Sequence, residues 1–237
     1  MRKMLTIAGR ELRSYFVSPM AYVVLAFYLG ITGLIFALSV SGPQAEADMA
    51  GMFHTMIFIA LMITPVITMG LLAQEQATGS MELLMTNPVR DVEVVLGKYL
   101  GAMALFVIVL IGTLEFPIMM ARFGEPDWNA ILSGYIGVLL TGMAFIAIGV
   151  LASALTTSPI ASAVIGYVIL LFLWLIGWLS YTVSERLGDV ARYLSVLENF
   201  QDFAKGILDS RPIIFFISLT FFALFLAVRA VENKRTI

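Results

Sequence analysis

Six runs of about twenty apolar residues, near 20–40, 53–73, 95–120, 130–154, 160–181 and 212–229, constrain this chain more than anything else in it. A helix needs about 20 such residues to cross roughly 30 Å of hydrocarbon, so each run is long enough to span a bilayer. Hydrophobic residues make up 60% of the 237 and charged residues only 13%, with a mean hydropathy of +0.97, more apolar surface than a soluble core could hide. None of the runs alternates inward and outward residues over strands of about ten, as a membrane barrel requires, so the backbone must be satisfied within helices. The expected fold is an all-α membrane protein, one transmembrane domain over 1–237 with six spanning helices.

The first nineteen residues, MRKMLTIAGRELRSYFVSP, lack the apolar core of a cleavable signal peptide and keep charges through Arg13. They read instead as an amphipathic helix at the membrane surface, with Leu5, Leu12, Tyr15 and Phe16 on one side and Lys3, Arg10 and Arg13 on the other. A frayed basic tail is the alternative. Cysteine is absent, which excludes disulfides and thiolate metal sites. His54 is the only histidine, no cluster has metal-ligand spacing, and no nucleic-acid partner is expected.

Orientation follows from the cations. With both termini in the cytoplasm, that side holds Arg2, Lys3, Arg10, Arg13, Arg90, Lys98, Arg229, Lys234 and Arg235, and the external side Arg122, Arg186, Arg192, Lys205 and Arg211. The polar insert AQEQATGSMELLMTNPVRDVEVVLGKYLG, residues 73–101, then faces the cytoplasm. Gly79-Ser80 offers a break and an N-cap, MELLM a short helix, and Asn87-Pro88 a stop, since a residue before proline avoids the α region. Asp91 and Glu93 fall at the positive dipole end of the third span. Leu83, Leu84 and Met85 would be exposed apolar side chains unless something docks on them; a connector folded back onto lipid headgroups is the simpler alternative. The stretch SALTTSPIAS, 153–162, is either a second, smaller docking element or a tight turn with Pro159 starting the next helix.

On the external side, 182–211 is helical in period but too polar to span. Val183, Leu187, Val190, Leu194 and Leu197 form one stripe and Phe200, Phe203, Ile207 and Leu208 another, with Asn199 as the expected cap between two short amphipathic helices. The hairpin is expected to be half-buried at the outer face or flat on the outer leaflet. Glu115 is an ionisable residue inside the third span, about 20 Å from its inner boundary. It lines a path, pairs with Arg186 or Arg192, or snorkels outward with Pro117 bending the helix end. His54, at the outer start of the second span, reads as an ordinary interfacial residue. Small residues Gly30, Gly33, Gly134, Gly137, Gly142 and Gly149 allow helices to approach closely.

The arrangement Glu75, Gly79, Glu82, Leu83-Leu84, Pro88 and Gly97-Lys98 resembles the motif between the second and third spans of ABC-2-type transporter permeases. ENFQDFAKGILDSRP, 198–212, resembles the external segment before their last span, particularly in permeases of the gliding-motility and copper-maturation kind. Gln76 stands where such proteins often carry a basic residue, and Ser80 where they often carry Thr. The resemblance implies that 74–88, within the cytoplasmic segment 74–93, is a coupling helix docking on a separate ATPase, with Glu75, Gly79, Glu82, Leu83, Leu84 and Pro88 as its contacts. It also implies an external gate at Phe200 and Phe203, a dimer of two permease chains, two copies of an ABC ATPase, and a bacterial or archaeal inner membrane. ATP and Mg²⁺ would be bound by the partner, not here: the only Gly-Lys pair, Gly97-Lys98, is followed by Tyr99, and Val92 occupies the first glycine position of a P-loop. A homodimeric exporter subunit is the expectation, a mechanotransmitting complex without transport the alternative. An intramembrane enzyme fares worse, because the spans hold no paired carboxylates, Ser-His pair or metal constellation.

Overall fold

The computed structural model describes residues 2–40, 49–78, 90–123, 126–179 and 185–235, and every regular element among these is helical. In chain order they are α1 (Arg2–Val17), α2 (Met20–Val40), α3 (Met49–Thr68), α4 (Ala73–Ala77), α5 (Asp91–Thr113), α6 (Glu115–Phe123), α7 (Trp128–Leu155), α8 (Pro159–Leu179), α9 (Glu185–Leu194), α10 (Val196–Ala204) and α11 (Ser210–Arg235). Six helical stretches are long and apolar enough to cross a bilayer: α2, α3 with α4, α5 with α6, α7, α8 and α11. The protein is an all-α, multi-pass membrane protein. Its termini lie at the same end of the bundle, where α1 packs on α5 and Lys234 of α11 reaches α4.

The spans are not equivalent. In α3 and α7, 72% of the apolar window is buried inside the chain, against 17% in α2. The core is therefore α3, α5 and α7, with α2, α8 and α11 around it. Lipid tails are as apolar as leucine, so burial of apolar area drives little helix association in a membrane; close packing and hydrogen bonds do. Both are present. Along α7, a Cβ on Gly134 would lie 2.1 Å from the Phe53 ring, one on Gly142 2.0 Å from the Phe106 ring, and one on Gly149 2.1 Å from the Thr68 hydroxyl. The small face of the fourth span is thus consumed within the chain.

Hydroxyl groups add directed contacts. Tyr28 of α2 donates to the Met56 carbonyl (3.1 Å), Tyr167 of α8 to that of Met62, and Tyr15 of α1 to that of Ile67 (2.9 Å), so three helices are tied to the backbone of α3. The third span is broken at Leu114 for a local reason. Pro117 has no N–H to return to the Thr113 carbonyl four residues back. The Tyr135 hydroxyl takes that carbonyl instead, at 2.8 Å, and α6 starts afresh at Glu115.

At the end opposite the termini, α9 and α10 form the expected pair of short helices, with a different joint. Ser195, not Asn199, caps α10, its hydroxyl accepting from the Glu198 N–H at 3.3 Å. Asn199 lies inside α10 and donates back to the carbonyls of Tyr193 (2.9 Å) and Ser195 (2.8 Å). Bonds from the Gly206 N–H to Phe203 and from the Ile207 N–H to Asp202 close α10, with Gly206 in the left-handed region at φ 82°. Leu187 and Val190 of α9 point outward, whereas Phe200 and Phe203 are fully buried. Phe203 packs on Gly137, nine residues into α7 and so about 14 Å along it, so α10 is set into the bundle rather than laid flat on it.

The seat of α1 makes a stability prediction. A Cβ on Gly101 would sit 2.6 Å from Glu11 Cβ and 3.1 Å from the Ala8 carbonyl oxygen, whereas one on Gly30 would meet nothing within 4 Å. Gly101→Ala is expected to lift α1 from α5 at a cost of about 1–3 kcal/mol, typical of overpacking, and Gly30→Ala to be near neutral. Thermal unfolding in detergent, with limited trypsin cleavage after Arg10 and Arg13, measures both.

Candidate functional site

The polar segment after the second span is rooted at a turn that another helix holds. Past Thr68 the α3 ladder tightens, with the Leu71 N–H bonding to the Thr68 carbonyl (3.1 Å), and the next two N–H groups have no partner in their own helix. Ser153, near the end of α7, supplies one. Its Oγ accepts from the Leu72 and Ala73 N–H groups, both at 3.0 Å, and donates to the Met69 carbonyl at 3.1 Å. One buried hydroxyl therefore caps α4 from a different helix. The reach is possible because Gly149, one turn earlier on α7, lets Thr68 approach its backbone. The stretch 153–162 thus begins by anchoring the first polar segment.

From this root α4 sends out two polar side chains. The Glu75 carboxylate accepts from Lys98 Nζ at 2.8 Å, and the same ammonium donates to Glu11 of α1 at 3.3 Å. Arg10 adds a looser contact to Glu75 at 3.8 Å. Lys98 is only 2% exposed in its side chain, while Arg10 is 59% exposed at the edge. Two cations thus face two carboxylates, and α1, α4 and α5 meet at one ammonium. Nearby, burial raises the pKa of the Tyr15 hydroxyl, with the Glu11 charge a second cause. On the other side of α4, Lys234 Nζ donates to Gln76 Oε1 (2.6 Å) and to the Ala154 carbonyl (2.9 Å), bringing in the last span. Gln76 accepts from a lysine where a basic residue could not.

Among the sequence-based candidates, Glu75 is at the centre of this junction. Gly79, Glu82, Leu83, Leu84 and Pro88 lie outside the described residues, as do Ser80, Met85 and Asn87. Phe200 and Phe203 are buried at the far end, where the His54 ring meets Phe200 edge-on at 5.4 Å between centroids. Glu115 occupies neither place. It is exposed as the first residue of α6, with no partner among the described residues. Contacts of Phe106 with Gly142 and of Thr113 with Tyr135 set its level opposite Ser133, five residues from the start of α7.

The charge buried in the third span is Lys98 instead. It lies within the apolar run 95–120, and an ionisable residue there requires a partner; that was the available signal. Glu11, Ser153 and Lys234 carried none, because their partners are 80 or more residues away in sequence.

The geometry defines a class first: a multi-pass helical membrane protein whose polar extension after the second span is cross-braced to its third, fourth and last spans and to the helix before the first. A family model described as ABC-2 family transporter protein matches residues 32–204, and the chain belongs to that family. It is a membrane permease of an ABC transporter, and membership implies an ABC ATPase as partner. No curated protein matches the chain.

Removing the Ser153 hydroxyl strands three backbone groups. Ser153→Ala is expected to cost about 1–3 kcal/mol, the penalty of leaving buried polar groups unpaired. Hydrogen exchange of the 72–78 amides should accelerate with that of mid-α7 unchanged; uniform acceleration would mean that Ser153 supports the whole bundle rather than this turn.

Proposed function

We propose that this chain is the membrane subunit of an ATP-driven exporter, acting as a homodimer and worked through segment 74–88 by two copies of a separate ATPase. Both termini and that segment face the cytoplasm of a bacterial or archaeal cell, with the membrane being the inner one. ATP and Mg²⁺ are bound and hydrolysed by the partner; this chain carries no catalytic residue, metal or cofactor of its own. The observation that carries the reading is the bracing of α4. Glu75 is held by Lys98 and Arg10, and the α4 backbone by Ser153, so a load that reaches α4 passes into α1, α5 and α7. Glu82, Leu83 and Leu84 make the docking contacts, Gly79 and Pro88 shape the segment, and Glu75 fixes its root. Phe200 and Phe203, wedged between α7 and α11, close the outer mouth, and Glu115 at the bundle surface belongs to the external rim of the path.

Co-purification from the native membrane tests it, because a P-loop ATPase should accompany the chain. Glu82→Arg, or Leu83→Asp with Leu84→Asp, is expected to weaken retention of that ATPase by about 30-fold, the equivalent of a 2 kcal/mol hot spot, with the permease still folded by thermal midpoint. Retention and ATP-dependent activity at wild-type level in both variants would remove the docking role.

A further inference from the structure

α1 is divided into faces with different neighbours. Ile7, Glu11 and Tyr15 turn into the bundle, over Gly97, over Gly101 and against the end of α3. The remaining face has none of these contacts. Leu5 is 62% and Val17 78% exposed, and Tyr22, at the start of α2, is 60% exposed. Arg10 and Arg13 stand one turn apart on the same outward side. Arg13 has no partner among the described residues, and Arg10 reaches only Glu75, at 3.8 Å. Val17 is three residues before Met20, where the first span begins, and the chain turns there at Ser18-Pro19, with the Ser18 hydroxyl on the Tyr15 carbonyl at 3.0 Å. The arginines therefore sit where acyl chains give way to headgroups, beside apolar side chains that need the former.

We propose that this face of α1 binds the headgroups of anionic phospholipids, with Arg10 and Arg13 as the cationic contacts and Leu5, Val17 and Tyr22 in the adjoining acyl layer. A guanidinium presents paired N–H donors matched to phosphate oxygens. The preference for anionic over zwitterionic lipid follows from charge balance. Lys98 and Arg10 offset Glu11 and Glu75, so the Arg13 charge is unopposed among the described residues, and a headgroup without net charge does not answer it. A soluble partner would answer the charge but leave the flanking apolar side chains in water. The proposal rests on the membrane placement of the chain and requires no ATPase, so its failure and that of the coupling reading are separable.

The full chain, reconstituted without ATPase in nanodiscs of equal phosphatidylcholine and phosphatidylglycerol, provides the test. Photoactivatable headgroup analogues of each lipid are cross-linked in turn, and the α1 peptides are quantified by mass spectrometry. Phosphatidylglycerol should label α1 in preference, and Arg13→Gln should lower the preference about five-fold, the equivalent of roughly 1 kcal/mol per basic residue at an anionic surface. Arg13→Lys should retain most of it, and raised salt should weaken it. Arg10→Gln with Arg13→Gln should abolish it; should that double variant not fold, Arg13→Gln alone decides, because its side chain supports no other group among the described residues. Equal labelling by the two lipids in the wild-type chain, or an unchanged preference in Arg13→Gln, would overturn the proposal.

Discussion

A lysine ammonium withdrawn almost completely from water, with a carboxylate on either side, organises the terminal end of this permease. An ion pair taken out of water loses hydration worth several kcal/mol per charge and regains it only with good geometry and further partners. At 2.8 Å from Glu75 and 3.3 Å from Glu11, Lys98 has both. Apolar residues of like volume would stabilise the site as well or better. What they would not supply is an attachment between specified partners, for hydrophobic attraction is non-directional while an ammonium and a carboxylate pair donor to acceptor. Here the attachment joins a surface helix, a span and the root of the polar segment.

That attachment matters because α4 is not a continuation of α3. The regular ladder of α3 ends at Thr68, so the direction of α4 is set in part by what lies beside it: Ser153 on its backbone, Lys98 on Glu75 and Lys234 on Gln76. These come from α7, α5 and α11, and Glu11 extends the set to α1. Each contact is modest alone, since hydrogen bonds in membrane bundles average about 0.6 kcal/mol. Together they hold α4 on more than one side. On the proposed coupling, a load that reaches α4 is then passed to the helices around it.

The spans were legible because twenty consecutive apolar residues permit almost no other structure, and so was the polar insert between the second and third. The junction was not. Hydrophobic period reports which face of a helix is apolar and is silent about which distant residue meets a charge: Lys98 pairs with Glu11 across 87 positions. Glu115 drew attention because a carboxylate inside an apolar run looks buried, yet Pro117, two residues on, had already ended the helix there and placed it at the surface. Ser195 and Asn199 are both good cap formers four residues apart. The choice fell to the serine, whose hydroxyl reaches a free N–H while the Asn199 amide is taken by two carbonyls. The stretch 153–162, read as a second docking element or as a tight turn with Pro159 starting the next helix, does turn ahead of a helix that begins at Pro159, but its first residue is also the cap of a helix eighty positions earlier, which composition does not show.

The interior of the bundle determines what a load on α4 can do. Gly134, Gly142 and Gly149 space three interlocks along α7, with Phe53 and Thr68 of α3 and Phe106 of α5, and at each there is no room for even a methyl group to pass. Over the 15 residues from Gly134 to Gly149, about 22 Å, α3 and α7 cannot slide relative to each other. Packed interiors at this density transmit displacement instead of deforming. On the proposed coupling, work delivered at α4 therefore tilts α3, α5 and α7 as one body and carries α10, wedged at Gly137 on the same helix, along with it. The peripheral spans α2 and α8 are tied to that body through the Tyr28 and Tyr167 hydroxyls on α3 and are carried with it.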